Sequence, residues 1–164
     1  MLPKARAIIP KVGRLPGIDG KAKMSKSGGN AIALPASPEE VRSAVKAMFT
    51  DPNHLRAEDS GCVEGNVVFT YLDAFDPVHD ELAELKAQYQ RGGLGDGRIK
   101  ALLEAIFLEL IAPIRMRRAQ LSEEMGYVPE VIRGGTERTE ATTRDVVNAS
   151  GPFQLWGSRG GQNL

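Results

Sequence analysis

"NVVFTYLDAF", residues 66–75, decides whether this chain builds a sheet or a bundle. Its β-branched and aromatic residues suit a strand. The same residues also fit a helix, because Val67, Val68, Tyr71, Leu72 and Phe75 fall on one face at helical spacing. Period alone leaves both readings open, and the helix is the one adopted here. Upstream, "SPEEVRSAVKAMF" (residues 37–49) carries a full helix-start signature. Ser37 can cap, Pro38 suits the first helical position and Glu40 completes a capping box. Val41, Ala44, Val45, Met48 and Phe49 then make one apolar face. Downstream, "PVHDELAELKAQYQ" aligns Val78, Leu82, Leu85 and Tyr89, and "RGGLGDG" stops it.

The longest helix opens near Asp96. Ile99, Leu102, Leu103, Ile106, Leu110 and Ile111 give it a wide apolar face, with Phe107 beside it, and Pro113 is expected to kink it. "YVPEVIRGG" and "TERTEATTRDVVNAS" read as two shorter helices separated by Gly134-Gly135. The ending "GPFQLWGSRGGQNL" has no periodicity and is expected to be a disordered tail over 151–164.

Residues 1–36 differ in character. They hold five glycines, four prolines and few periodic apolar positions, with "ARAIIP" as a possible short strand. A long irregular stretch of this kind is either functional or lacks its packing partner. The expected fold is therefore mainly α: a helical bundle over 37–150, preceded by a loop-rich segment over 1–36.

Composition narrows the function classes. With 164 residues, 41% hydrophobic and 26% charged, the chain is ordinary for a globular protein with a real core. Formal net charge is zero, so anion binding must come from local patches. The single cysteine, Cys62, excludes an internal disulfide framework and reads as inert. Glu104 and Glu109 interrupt the most apolar stretch, which argues against a membrane span. The N-terminus lacks the apolar run of a signal peptide, and the reading is of a cytoplasmic protein. No metal-ligand spacing is present, and His54 and His79 read as surface residues.

One local patch is conspicuous. "KAKMSKSGGN", residues 21–30, places three lysines and two serines ahead of two glycines. Such a loop is either solvated or meets a strongly anionic group. Ammonium groups that meet an anion lower a barrier most if the contact tightens as charge develops. Lys23 and Lys26 are three apart, so both can approach one anion from a tight turn. Ser25 and Ser27 can donate hydroxyl hydrogen bonds between them. Gly28 and Gly29 add backbone freedom, and Gly17 and Gly20 are possible hinges. The plainer readings are that Lys21 is a solvated charge, that Ser27 caps the following turn, and that Asn30 holds the turn through its side chain. A second basic cluster, Arg115, Arg117 and Arg118, follows Pro113. It can meet nucleic-acid phosphate, or it can pair with Glu123, Glu124 or acids on neighbouring helices.

Lys23, Met24, Ser25, Lys26 and Ser27 spell K-M-S-K-S, the signature of class I aminoacyl-tRNA synthetases. The flanking "LPGIDG", "GGNAIAL", "MFTDP", "EGNVVFTYLDAFDP", "GGLGDGRIKALL" and "APIRMRR" resemble the C-terminal half of bacterial tryptophanyl-tRNA synthetases. The resemblance covers residues 15–150. It implies ATP-dependent attachment of tryptophan to its tRNA, with Lys23 and Lys26 as catalytic cations and Lys23–Ser27 as the ATP contact. Within that contact it places Met24 near the adenine and makes Lys26 the main triphosphate ligand. It further implies Mg²⁺ carried by the ATP phosphates, tRNA recognition by the helices, a tryptophan pocket outside these residues, and a homodimer when intact. Residues 1–36 would then be the loop edge of a Rossmann-type catalytic domain. Tyrosyl-tRNA synthetases are similar around the loop, and a non-catalytic RNA- or protein-binding module built on the same helices is the alternative from another class. The family's H-I-G-H-like motif is absent from these residues, so the resemblance implies a fragment or one piece of a split protein.

Overall fold

The structure, a computed structural model, describes residues 6–9, 12–21, 23–25 and 27–150. Five helices follow in order: α1 (Pro38–Lys46), α2 (Val67–Phe75), α3 (His79–Arg91), α4 (Asp96–Glu123) and α5 (Tyr127–Ser150). No strand occurs among the described residues, and residues 6–9 are irregular, with Ile8 and Ile9 exposed. The fold is mainly helical, as expected, but the possible strand at "ARAIIP" does not form over its described part. The expected tail, residues 151–164, lies outside the described residues.

The stretch 66–75 is a helix because both of its ends are chemically marked. Asn66 is extended, and its side-chain oxygen accepts the Val68 N–H at 3.0 Å. At the other end Asp76 precedes Pro77, which disfavours helical backbone at position 76. Asp76 is extended at ψ 122°, and its carboxylate accepts the Val78 N–H at 2.8 Å. Val67, Val68, Phe69, Tyr71 and Leu72 are buried, so α2 is apolar over more than one face. That breadth is what made it resemble a strand.

Ser37 and Glu40 close the expected capping box of α1. At the far end of α1, Lys100 donates to the carbonyls of Lys46 at 2.9 Å and Met48 at 2.8 Å. Burial holds the Lys100 ammonium below its usual range, while nearby Asp96 opposes that shift. Gly92 ends α3 at φ 90°. A side chain there would collide with the Glu58 carbonyl oxygen, 2.3 Å from a built Cβ.

The chain divides into two compact units at Arg118 and Ala119. In the first unit, Val41, Val45, Val68, Leu72, Leu82, Tyr89, Ile99, Leu103, Phe107 and Ile111 are core residues. Phe107 sits in the buried row of α4, at four-residue spacing from Leu103 and Ile111, whereas Leu110 is exposed. The α4 face is thus narrower, and turned further toward Phe107, than the sequence suggests. Helix α4 carries Pro113 in its interior and extends to Glu123.

The second unit is dominated by α5, which runs without a break through Gly134 and Gly135. The expectation of two short helices is corrected. Helical glycine costs about 1 kcal/mol relative to alanine, which does not by itself end a helix. Thr136, Thr139 and Thr142 each donate to the carbonyl four residues back, and Arg144 pairs with Glu140 at 2.7 Å. None of the described residues forms a helix long and apolar enough to cross a membrane.

Candidate functional site

The lysine-rich loop is organised around Asn30, which is 6% exposed. Its amide NH₂ donates to the Asp19 carboxylate at 3.0 Å and to the Lys23 carbonyl at 3.2 Å, and its oxygen accepts the Ser25 N–H at 2.8 Å. All three links cross the loop, so one side chain fixes the turn that carries Lys23, Met24 and Ser25. The Ser25 hydroxyl accepts the Gly28 N–H at 2.9 Å and so continues the turn. Asp19 also accepts the Lys21 N–H at 3.1 Å and pairs with the Lys21 ammonium at 3.2 Å. The Asn30 amide, opposed by partial burial and aided by Lys21, holds the Asp19 carboxyl below its usual value.

The neck of the loop is held by backbone. Ile18 donates to the Asn30 carbonyl at 3.0 Å, and the Ile18 carbonyl accepts the Phe49 N–H at 2.8 Å. Phe49 in turn accepts from Val67 at the start of α2, at 3.3 Å. Gly17 and Gly20 are therefore not open hinges. A Cβ on Gly17 would fall 2.3 Å from the Asn30 amide nitrogen, and one on Gly20, which has φ 80°, would press on the Phe49 ring at 3.1 Å. Gly28 is packed as well, with a built Cβ 2.7 Å from the Ser25 hydroxyl, while Gly29 at φ 62° has open space around it.

The resulting site has an inward polar frame and an outward cationic tip. Lys21, Lys23 and Ser27 are exposed, and Met24 and Ser25 are partly buried. Lys26 lies outside the described residues. Ammonium, hydroxyl and N–H groups are donors that suit phosphate oxygens and not a cation. Among the described residues, no three His, Cys, Asp or Glu side chains come together as a metal site.

The other candidates sort differently. Arg115 donates to the Ala36 carbonyl at 3.3 Å, just ahead of the α1 cap, whereas Arg117 and Arg118 are exposed. His54 is not a surface residue. Its side chain is 2% exposed and stacks against Tyr89 at 4.4 Å, with Nδ1 3.1 Å from Asp96. Thr50 and Tyr89 both donate to the same Asp96 carboxylate, at 2.6 and 2.8 Å. Within the largely exposed "TDPNHLRAEDSGCVEGN" connection, His54 and Asn66 are buried, and the run of charged and turn residues conceals this. The His79 side chain lies outside the described ones. Cys62 is exposed, with its thiol 3.5 Å from the Glu64 carbonyl. Two contributors went unnoticed in the sequence: Asp19, which is a lone acid in a basic stretch, and Tyr71, which looks like plain core.

A helical core carrying a pinned lysine-serine loop defines the class. The chain belongs to the family described as tRNA synthetases class I (W and Y), which matches residues 1–112. Two relatives are tryptophan–tRNA ligases. The Clostridium longisporum enzyme is 47% identical over 140 residues, which is 84% of this chain and 41% of the relative. The Streptococcus pneumoniae (serotype 4) enzyme is 48% identical over 130 residues, 78% of this chain and 38% of the relative. A crystal structure of tryptophanyl-tRNA synthetase from Campylobacter jejuni superposes with a TM-score of 0.68 at 26% identity, covering 88% of this chain and 44% of that one. The chain thus spans about two fifths of the length of the relatives it matches.

Proposed function

We propose that this chain supplies the pyrophosphate-facing loop and the tRNA-docking helices of an enzyme that joins tryptophan to its tRNA at the expense of ATP. The observation that carries the reading is the K-M-S-K-S tip, exposed at Lys23 and Ser27 and fixed from beneath by Asn30. The tryptophan carboxylate attacks the α-phosphate, pyrophosphate leaves, and the tRNA terminal hydroxyl then takes the aminoacyl group. This chain's part in the first step is electrostatic: Lys23 and Lys26 meet the charge that develops on the leaving pyrophosphate, and Ser25 and Ser27 add hydroxyl donors. Mg²⁺ would travel on the ATP phosphates, since Asp19, the loop's carboxylate, is already paired with Asn30 and Lys21. Residues 1–36 act as the edge of a Rossmann catalytic domain, and 37–150 as the tRNA-facing helices, with Arg115, Arg117 and Arg118 as the basic cluster. The tryptophan pocket belongs to sequence beyond these residues, and the intact enzyme is a cytoplasmic homodimer.

The test is a chimera. This chain replaces the matched 140-residue part of the Clostridium longisporum ligase. Tryptophan-dependent exchange of pyrophosphate into ATP is then measured. The reading predicts exchange. A folded, dimeric chimera with no exchange would contradict it and favour a non-catalytic module.

A further inference from the structure

We propose that Tyr71 is a positioning residue that ties the ATP loop to the helical core. The proposal deepens the function proposed above and rests on it. Tyr71 is buried in α2, and its ring packs against Phe107 of α4 at 5.9 Å, edge to face, and against Phe75 at 6.2 Å. Phe75 and Phe107 are themselves in contact at 5.3 Å, which closes an aromatic triangle. The ring is therefore fixed by the core and not by the loop.

Its hydroxyl points the other way. It donates to the Pro16 carbonyl at 2.7 Å, and the same oxygen lies 3.5 Å from the Met24 sulfur. Pro16 is the residue before Gly17, where the loop begins, and Met24 is the second residue of K-M-S-K-S. One side chain thus touches both the stem and the working part of the loop. Asn30 fixes the loop's internal shape, and the Ile18 backbone bonds fix its neck. Among the described residues, the Tyr71 hydroxyl is the side-chain polar group from α2–α5 that reaches Pro16 and Met24 together. Because Lys23 precedes Met24, the Tyr71 contact helps hold the backbone from which the exposed Lys23 side chain extends. A phenol is well chosen for this role. It has one proton to give, the carbonyl takes it, and the oxygen still faces the thioether. Burial raises the phenol above the usual tyrosine value, so the donor keeps its proton across physiological pH.

Tyr71→Phe keeps the aromatic triangle and removes only the tether. The measurement is amide hydrogen exchange by mass spectrometry on the 164-residue chain, with ATP binding followed in parallel by calorimetry on the chimera described above. The N–H groups of Gly17, Ile18, Gly20, Ser25 and Gly28 are all bonded within the loop and report on it. Losing one net hydrogen bond predicts about two- to twelvefold faster exchange there, with α2 and α4 unchanged and ATP binding weakened. Phe75→Leu serves as the control, because it loosens the core without touching the hydroxyl. Unchanged loop exchange in Tyr71→Phe would overturn the proposal, as would Phe75→Leu speeding the loop to the same degree. If the loop responds to Tyr71→Phe but the chimera carrying the unsubstituted chain shows no ATP binding, the tether stands and the ATP reading is what fails.

Discussion

Asn30 holds the shape of the loop through three side-chain hydrogen bonds that cross it. Replacing it with alanine leaves the Ser25 N–H, the Lys23 carbonyl and the Asp19 carboxylate without their partner at once. Buried groups left in this state cost about 1–3 kcal/mol each when water cannot reach them, and less here because Asp19 and Lys23 are exposed and Ser25 is only partly buried. The consequence can be read from one titration. Asp19 is held below its usual value chiefly by Asn30, so its contribution to loop order is fully present above the unfolded carboxyl value, about 3.9. That contribution is lost as pH falls through the lower folded value. In Asn30→Ala, the Asp19 side-chain carbon signal is expected to titrate closer to pH 3.9 than in the unsubstituted chain. An unshifted midpoint would mean that Asn30 does not hold Asp19 in solution. That Asn30 holds the turn was legible in the sequence, because asparagine after two glycines is turn chemistry. Its link to Asp19, eleven residues away, was not, since nothing local marks which acid an amide will choose.

At the scale of elements, marked helix ends were readable and glycines were overread. Ser37-Pro38-Glu40 placed α1 because capping is local chemistry, and α4 opens at Asp96 as expected. Gly134-Gly135 was taken for a break, yet α5 passes through it. The difference is that a glycine permits a turn but does not require one; Gly92 ends α3 because its φ of 90° and the nearby Glu58 carbonyl demand it. Gly135 has no atom within 4 Å of a built Cβ. Gly135→Ala is therefore expected to raise helix content and stabilise α5 by about 0.5–1 kcal/mol, seen as a stronger 222 nm circular dichroism signal and a later thermal transition. A weaker signal would show that a partner approaches the helix closely at that position. The buried His54 was missed for a related reason. Its neighbours in sequence are polar, while its partners, Tyr89 and Asp96, arrive from α3 and α4.

For the molecule as a whole, the formal net charge is zero, so a local cationic patch depends on where lysines and arginines cluster. Three of the eight lysines fall within residues 21–30, and three of the thirteen arginines, Arg115, Arg117 and Arg118, fall at the end of the first compact unit. Among the arginines the structure separates roles that the sequence left open. Arg115 braces the Ala36 carbonyl, and Arg117 is exposed. In the chimera, Arg117→Ala is expected to weaken tRNA binding and to flatten its salt dependence by about 0.7–0.9 of a log unit for one lost phosphate contact. Arg115→Ala is expected chiefly to lower the melting temperature. Equal salt slopes for Arg117→Ala and the parent would remove that residue from the tRNA surface.

The central claim is that the K-M-S-K-S tip meets charge as pyrophosphate leaves. It is tested most directly by single-turnover adenylate formation in the chimera, comparing Lys26→Ala with Lys21→Ala. Lys21 already pairs with Asp19, so its loss should matter little. Lys26→Ala is predicted to slow adenylate formation by the equivalent of about 2–4 kcal/mol, with tryptophan affinity nearly unchanged. Equal, small effects of the two substitutions would contradict the claim and reduce the loop to a charged surface.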